Sequence, residues 1–334
     1  MTLDRTQAAD DFLVANGWAN ATRKPLAGDA SFRRYERITQ DGKADTVLMD
    51  APPPQENVRP FVAIGRHLVA LGLSAPRILA EDPELGFLLL EDLGDDTYTR
   101  LLGKEHDETQ LYELATDALI HLHRFTVSDV TPAGVTPYGE VRLLEEVDRL
   151  NTWYLPLINA PELSTDVREA YMDIWKALLP QAWRAPESLV LFDYHVDNLL
   201  LLPNRPAVEA CGLLDFQDAV IGPVTYDLMS LLEDARRDID PDLVANMKAR
   251  YCAAFPEMTR DDFETSWAVM AAQRHLRVIG TFARLKLRDD KPHYLEHMPR
   301  LWRYMDTCLH HPVLAPLKEW LDTHVPPALR RVAT

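Results

Sequence analysis

The chain is poor in cysteine and lacks long apolar runs, and both shortages limit what it can be. Its 334 residues include three cysteines, Cys211, Cys252 and Cys308, whose spacing matches no metal-ligand motif. An odd, scattered set of cysteines is typical of a reducing compartment. No apolar run approaches the roughly 18 residues of a membrane span, and residues 1–12 lack the basic and apolar blocks of a signal peptide. We therefore expect a cytoplasmic protein without a membrane partner.

Basic residues are also scarce, since 35 Lys and Arg against 52 Asp and Glu leave a formal net charge of -17 at pH 7. Nucleic acid is not an expected partner, because binding its phosphates needs a basic face. The hydrophobic fraction of 47% is ordinary for a globular chain, and the length suits a two-lobed unit or two domains. We expect a monomer or weak dimer that acts on a small molecule.

The secondary-structure signals change near residue 91. Before it, short strands with hairpin turns alternate with two helices; beyond it, long helices dominate and only one strand pair is clear. This order predicts an α+β, protein-kinase-like two-lobed fold, with a small sheet-rich N-terminal lobe and a larger helical C-terminal lobe. The expected boundaries are residues 1–91 for an ATP-binding lobe, 92–96 for a hinge, and 97–334 for a catalytic and substrate-binding lobe.

The most informative motif is Asp193, followed by Asn198 and, after two short apolar runs, by Asp215. The runs, residues 199–202 and 211–214, predict an antiparallel hairpin that brings Asn198 and Asp215 side by side. Amide and carboxylate oxygens suit Mg²⁺ held against ATP phosphates, so these two residues are the candidate metal ligands. Asp193 is the candidate catalytic base for an incoming hydroxyl. The motif therefore indicates a phosphotransferase.

Two other interpretations of this motif stay open. One is a turn-rich surface loop, since such loops favour Asp and Asn. The other is a metallohydrolase with Asp193, His195 and Asp197 as ligands, although such sites usually collect several His and carboxylates from separate segments. Asp227 precedes an apolar helical stretch, so we expect it to cap a helix or brace a loop rather than to catalyse.

Nucleotide contacts are expected from two other segments. The turn between the first two strands can fold over the phosphates, where backbone N–H groups bind phosphate oxygens, although it can equally be an ordinary hairpin turn. Its candidate nucleotide-binding residues are Asp29, Ala30, Ser31, Phe32 and Arg33. The segment between the predicted lobes can offer a backbone carbonyl and an N–H to the adenine edge, from Glu91 and Leu93.

The third strand lacks the Lys that usually holds the α- and β-phosphates in a kinase-like lobe. Met49 stands at the position where that Lys is expected. Arg33, Arg34 and Arg37 follow the nucleotide loop and are the candidates to supply the missing positive charge.

Two segments carry side chains suited to a sugar or an anion. The pattern predicts a helix over residues 271–287, and four arginines, Arg274, Arg277, Arg284 and Arg288, recur at helical spacing along it and just after it. They indicate either an anion-binding face or salt bridges to surface carboxylates. Residues 145–154 combine carboxylates with aromatic rings, as carbohydrate sites often do, but an amphipathic helix end with a core Trp has the same pattern. The candidate substrate-binding residues are Glu146, Asp148, Trp153, His195 and Arg274.

Together these residues resemble the aminoglycoside phosphotransferase and choline kinase superfamily, and within it the bacterial anomeric kinases of N-acetylmuramate and N-acetylglucosamine. The matching segments are 29–35 (DASFRRY), 49–57 (MDAPPPQEN), 86–90 (GFLLL), 214–220 (LDFQDAV), 222–227 (GPVTYD) and 273–276 (QRHL). The resemblance implies ATP- and Mg²⁺-dependent phosphorylation of the C1 hydroxyl in peptidoglycan recycling. It also implies that Asp193 is the base and that Asn198 and Asp215 bind the metal. The family has Met at the position of Met49.

The chain departs from this family at Leu191-Phe192, where a His or a His-Arg pair usually precedes the catalytic Asp and buttresses its loop. Two other functions stay open. A kinase of another small hydroxyl compound, such as an aminoglycoside or choline, would share every catalytic residue. A catalytically inactive nucleotide-binding pseudokinase is the second, although both candidate metal ligands are present.

Overall fold

The computed structural model describes residues 4–26, 32–104 and 106–331. The described strands are β1 (Thr22–Pro25), β2 (Arg34–Thr39), β3 (Thr46–Asp50), β4 (Ile78–Asp82), β5 (Phe87–Glu91), β6 (Glu187–Val190), β7 (Leu199–Leu201), β8 (Cys211–Leu213) and β9 (Val220–Pro223). The described α-helices are α1 (Arg5–Ala15), α2 (Arg59–Ala70), α3 (Tyr98–Leu102), α4 (Glu108–His123), α5 (Val127–Val130), α6 (Glu140–Val147), α7 (Leu155–Leu157), α8 (Thr165–Ala182), α9 (Thr225–Leu232), α10 (Pro241–Ala254), α11 (Arg260–Asp289), α12 (Met298–Cys308) and α13 (Ala315–His324). None of these helices has the length and apolar character needed to cross a membrane.

The chain packs into two compact units. The first consists of Met1–Ala118, Pro132–Val135 and Val196–Ala219, and the second of Leu119–Thr131, Thr136–His195 and Val220–Thr334. Strands dominate the first unit and helices the second, so the α+β class expected from the sequence is confirmed. The lobe boundaries expected on either side of residues 92–96 stay a prediction.

The first unit is built on an antiparallel sheet of strand order β1-β2-β3-β5-β4. Helix α1 begins after Asp4, whose carboxylate accepts the backbone N–H of Thr6 at 3.0 Å. Apolar side chains of α1 and the sheet form one buried cluster that includes Leu13, Ile38 and Phe87. Burying each such side chain is worth about 1.5–3 kcal/mol, so the helix and the sheet stabilise each other.

The hairpin expected around the central motif is present in the first unit. Strands β7 and β8 pair antiparallel, with Leu199 opposite Leu213 and Leu201 opposite Cys211. Each strand is one residue shorter than the sequence pattern indicates. The hairpin is fixed to the segment after α2, because the backbone N–H of Leu213 donates to the carbonyl of Ser74 at 2.8 Å.

The second unit packs around α11, which is much longer than the helix expected over residues 271–287. Its N-terminal cap explains the difference: the Thr259 hydroxyl accepts the backbone N–H of Asp262 at 3.1 Å and donates to the Asp262 carboxylate at 2.6 Å. The sequence pattern also missed the antiparallel pair of β6 and β9. These strands are far apart in the chain, so no turn signal joins them.

Candidate active site

Asn198 and Asp215 lie at the same end of the β7–β8 hairpin. The backbone N–H of Leu214 donates to the carbonyl of Asn198 at 2.9 Å, which extends the strand pairing by one step. Asp215 follows directly, with φ at 55°, in the left-handed region that Asp tolerates better than most residues. The hairpin therefore brings the two predicted metal ligands to one edge.

The carboxylate of Asp215 is held by side chains of the same unit. Its Oδ1 accepts hydrogen bonds from Arg33 Nη1 at 3.2 Å and from Gln217 Nε2 at 2.8 Å. Arg33 also donates from Nε to Glu56 at 3.0 Å. Burial lowers the pKa of Arg33, but Tyr35, Glu56 and Asp215 together raise it by more than burial lowers it. The guanidinium is therefore a permanent cation beside Asp215.

The donor chemistry at this edge fits Mg²⁺. An Asn amide oxygen and an Asp carboxylate are hard oxygen ligands, which Mg²⁺ prefers, and it usually takes only one or two carboxylates besides phosphate and water. Among the described residues, no group of three or more His, Cys, Asp or Glu side chains is arranged to hold a metal ion.

Phe216 anchors Asp215 to helix α2. Its ring is almost fully buried and stacks on Phe61 with 4.8 Å between the ring centroids. A Cβ atom at Gly65 would lie 3.2 Å from the Phe216 ring. A side chain at position 65 would force the ring or the helix to shift by a few tenths of an ångström, so glycine there permits the close packing that supports the backbone of Asp215.

In the second unit, Asp227 holds the loop that precedes Asp193. This residue of α9 is fully buried, and its carboxylate accepts the backbone N–H groups of Leu191 at 2.6 Å and Phe192 at 3.0 Å. Burial raises the pKa of Asp227 to about 7, although the two N–H donors lower it. The expectation that Asp227 braces a loop is confirmed.

Phe192 occupies the position directly before Asp193 with φ at 76°. Its buried ring stacks on Tyr226 at 5.4 Å between centroids, with an interplanar angle of 11°. The guanidinium carbons of Arg142 and Arg277 lie 4.4 Å and 4.3 Å from the ring centroid. Aromatic stacking and cation–π contacts thus support the loop where the resembling family has a His or a His-Arg pair.

Residues 22–263 match the model of the phosphotransferase enzyme family. The chain belongs to this family. Two curated relatives, both named N-acetylmuramate/N-acetylglucosamine kinase, resemble this phosphotransferase over nearly their whole length. The Caulobacter vibrioides relative is 37% identical and the match covers 99% of this chain and 100% of the relative. The Pseudomonas aeruginosa relative is 41% identical, over 93% of this chain and 92% of the relative.

Solved structures with the same fold include an aminoglycoside 2'-phosphotransferase in its GDP complex. Its TM-score is 0.63 at 17% identity, covering 91% of the phosphotransferase described here and 99% of the other chain. A choline kinase from Streptococcus pneumoniae gives a TM-score of 0.58 at 13% identity, over 92% and 99% of the two chains. The kinase-like fold expected from the sequence is confirmed, and so is the expectation that the protein is an enzyme.

The predicted nucleotide loop is described only in part. Asp29, Ala30 and Ser31 lie outside the described residues. The backbone N–H of Phe32 donates to the Glu56 carboxylate at 3.1 Å, and the Phe32 ring is exposed. Met49 is buried in β3, and the described loop cation Arg33 pairs with Asp215 at 3.2 Å.

The segment predicted to contact adenine follows β5. The carboxylate of Glu91 is paired with Arg77 at 3.1 Å and Arg205 at 2.7 Å, and Leu93 is half-buried. The pKa of Glu91 is lowered overall, because the two arginines outweigh the effect of burial. Its side chain is therefore engaged in ion pairs with Arg77 and Arg205, and a nucleotide contact from Glu91 would use the backbone carbonyl.

Three predicted substrate residues are buried in the second unit. Glu146 accepts from Gln273 Nε2 at 3.0 Å, from Arg142 Nε at 3.1 Å and from the Tyr138 hydroxyl. Arg274 donates to the carbonyl of Glu233 at 3.5 Å. His195 is kept neutral, because burial and then the nearby Arg236 and Arg274 hold its pKa well below the usual range.

Asp148 and Trp153 have a more structural setting. Asp148 is the C-terminal cap residue of helix α6. Its carboxylate accepts hydrogen bonds from Arg168 at 3.0 Å, Thr152 at 3.0 Å and Asn151 at 2.9 Å. Trp153 is half-buried in a π-helical turn, Leu150–Tyr154. Their roles in substrate binding stay predictions.

Several residues that contact Glu146 or Phe192 in the second unit were not predicted from the sequence. Tyr138 precedes α6 and Arg142 lies within it, whereas Tyr226 comes from α9, so no local spacing connects Tyr226 to the other two. Gln273, beside the predicted Arg274 in α11, was also missed. Its spacing of four residues from Arg277, a member of the arginine row expected from the sequence, was the available signal for a shared helix face.

Proposed function

We propose that this phosphotransferase transfers the γ-phosphate of ATP to the anomeric hydroxyl of N-acetylmuramate and N-acetylglucosamine. The observation that carries the proposal is the similarity, at 34–41% identity, to four curated relatives that bear this name. We further propose that the reaction belongs to peptidoglycan recycling in the cytoplasm and that the protein is a monomer or weak dimer.

The chemistry follows from a small set of side chains. Asp193 orients the acceptor hydroxyl and takes its proton, which general-base catalysis requires of a carboxylate within hydrogen-bond reach. Asn198 and Asp215 would hold Mg²⁺, which neutralises charge on the phosphate oxygens. Asp227 supports the backbone before Asp193, so the base need not be ordered when substrate binds.

The remaining predicted residues divide between the two substrates. Residues 29–33 and the backbone of Glu91 and Leu93 are proposed to bind ATP, with Arg33 supplying positive charge in place of the missing Lys. Glu146, Arg274 and neutral His195 are proposed to contact the sugar, together with Asp148 and Trp153. Carboxylates and neutral imidazoles accept hydrogen bonds from sugar hydroxyls, which supports this division.

The direct test is ATP consumption with Mg²⁺ against N-acetylmuramate, N-acetylglucosamine, glucosamine, choline and kanamycin, with the product examined by ³¹P NMR. We expect turnover of the two N-acetylated sugars, phosphate at C1, and loss of turnover when Mg²⁺ is removed with a chelator. Turnover of choline or kanamycin alone would keep the reaction and overturn the substrate. ATP binding without any turnover would indicate a pseudokinase.

A further inference from the structure

Three arginines of the second unit, Arg149, Arg277 and Arg284, lie close enough for the charges of the last two to act on the first. Arg277 and Arg284 lie on α11, and Arg149 precedes the π-helical turn. Glu146 is an acidic neighbour of Arg149 and Arg277, but its hydrogen bonds go to Arg142, Gln273 and Tyr138. Burial lowers the pKa of Arg149, Glu146 raises it, and Arg277 and Arg284 lower it again. Arg149 is therefore repelled by both other arginines, although Asp193 acts favourably on Arg277 and Asp289 on Arg284.

The fold forces this crowding through Gly280. A Cβ atom at this position would lie 2.4 Å from Cβ of Arg149 and 2.6 Å from its carbonyl carbon, so only glycine admits the contact. Arg149 Nη1 also donates to the Thr281 hydroxyl at 3.0 Å. Arg149 is thus fixed on the helix face between Arg277, three residues before Gly280, and Arg284, four residues after it.

Two of these guanidinium groups are incompletely satisfied. The buried Nε atoms of Arg277 and Arg284 have no hydrogen-bond partner among the described residues. A buried donor left unpaired is destabilising, and guanidinium groups pair preferentially with planar oxyanions such as carboxylates. The cluster is therefore a preformed site for an anion.

Arg277 connects this cluster to the predicted base. Its guanidinium carbon lies 4.3 Å from the centroid of Phe192, the residue directly before Asp193. An anion bound to Arg277 would thus lie near the acceptor rather than on a remote surface.

We propose that Arg149, Arg277 and Arg284 bind the carboxylate of N-acetylmuramate and make this acceptor preferred over N-acetylglucosamine, which lacks the acid. The proposal rests on the proposed function and names the group by which the same site distinguishes its two sugars. A charge-assisted contact of this kind corresponds to a roughly 10- to 100-fold effect on kcat/KM.

The test compares kcat/KM for N-acetylmuramate, its uncharged carboxamide and N-acetylglucosamine. The wild-type enzyme should prefer the acid over the carboxamide by roughly 10- to 100-fold. In Arg284→Gln this preference should shrink strongly, while kcat/KM for N-acetylglucosamine changes little. In Arg277→Gln the preference should shrink as well, but kcat/KM for every acceptor should also fall, because this guanidinium supports the ring of Phe192 before Asp193. Arg277→Lys should recover part of the preference. The control is Arg260→Gln, which removes the same charge from an 85% exposed side chain at the start of the same helix.

Each contrary outcome has a separate meaning. Equal kcat/KM for the acid and the carboxamide in the wild-type enzyme would overturn the carboxylate site, even if the Arg277 variants fail to fold. Equal loss for all three acceptors in folded variants would also overturn it, since that marks a general structural role. No turnover of any amino sugar by the wild-type enzyme would instead overturn the proposed function.

Discussion

The carboxylate of Asp227 accepts the backbone N–H of Phe192 at 3.0 Å, one residue before the predicted catalytic base. The two residues are 35 positions apart, and Asp227 is fully buried. Asp227, a buried acid with a raised pKa, thus holds the backbone of Phe192 in the left-handed region, with φ at 76°. Stability and loop geometry are therefore connected through one titratable group.

Asp227→Asn should change how stability depends on pH. Because the pKa of Asp227 is raised to about 7, its protonated form stabilises the folded state; that contribution is complete below about pH 4 and is lost as the pH rises through 7. The free energy of unfolding of the wild type minus that of the variant should therefore fall by about 2 kcal/mol between about pH 5 and pH 8. Urea titrations at both pH values measure it, with the exposed Asp242→Asn as control. A difference that stays constant or grows with pH would contradict the assignment.

At position 192, a glycine variant should be at least as stable as an alanine variant, which reverses the usual order of the two residues. Both substitutions remove a buried ring and should lower the free energy of unfolding by about 3–5 kcal/mol. With φ at 76°, however, glycine escapes the left-handed strain of about 1 kcal/mol that alanine keeps.

Phe192→Gly should therefore be no less stable than Phe192→Ala in urea denaturation. The neighbouring Leu191, which is not among the described positive-φ residues, provides the comparison. There, Leu191→Gly should be less stable than Leu191→Ala. The same order at both positions would show that backbone strain at Phe192 has no measurable cost.

Asp193→Asn should lower kcat by roughly 10²- to 10⁴-fold, because the amide cannot accept the proton of the sugar hydroxyl. Nucleotide affinity, measured by titration with a fluorescent ATP analogue, should stay near the wild-type value. Asp242→Asn again controls for the loss of one negative charge. A variant with near-wild-type kcat would remove Asp193 as the base.

Arg33→Ala should raise the KM for ATP, by roughly tenfold if one charge-assisted hydrogen bond is lost. The reason is that Arg33 bonds to Asp215, the predicted metal ligand, and remains charged at all relevant pH values. Arg34→Ala applies the same substitution to the second candidate, which lies at an exposed position. Unchanged ATP kinetics in both variants would eliminate these arginines as replacements for the missing Lys.

The parts of the site that the sequence predicted are those coded by neighbours in the chain. The β7–β8 hairpin follows from two apolar runs around a turn, so the common edge of Asn198 and Asp215 could be inferred. The extra length of α11 was also coded locally, by the Thr259 cap, but the cap was not recognised.

The parts that could not be predicted depend on distant segments. Tyr138, Phe192 and Tyr226 meet only because β6 pairs with β9 and α9 follows that pair. No turn signal or period relates residues at these separations. The same holds for Arg149 and Gly280, whose contact depends on a backbone approach that only the folded chain reveals.

The contact between Gly65 and the Phe216 ring has a consequence for sequence variation. Helix α2 carries no predicted site residue, yet any side chain at position 65 would press on a ring that adjoins Asp215. A substitution there would shift the backbone of Asp215, the predicted metal ligand, without changing that residue itself. Folded variants with a larger residue at position 65 should therefore carry a smaller side chain at position 216.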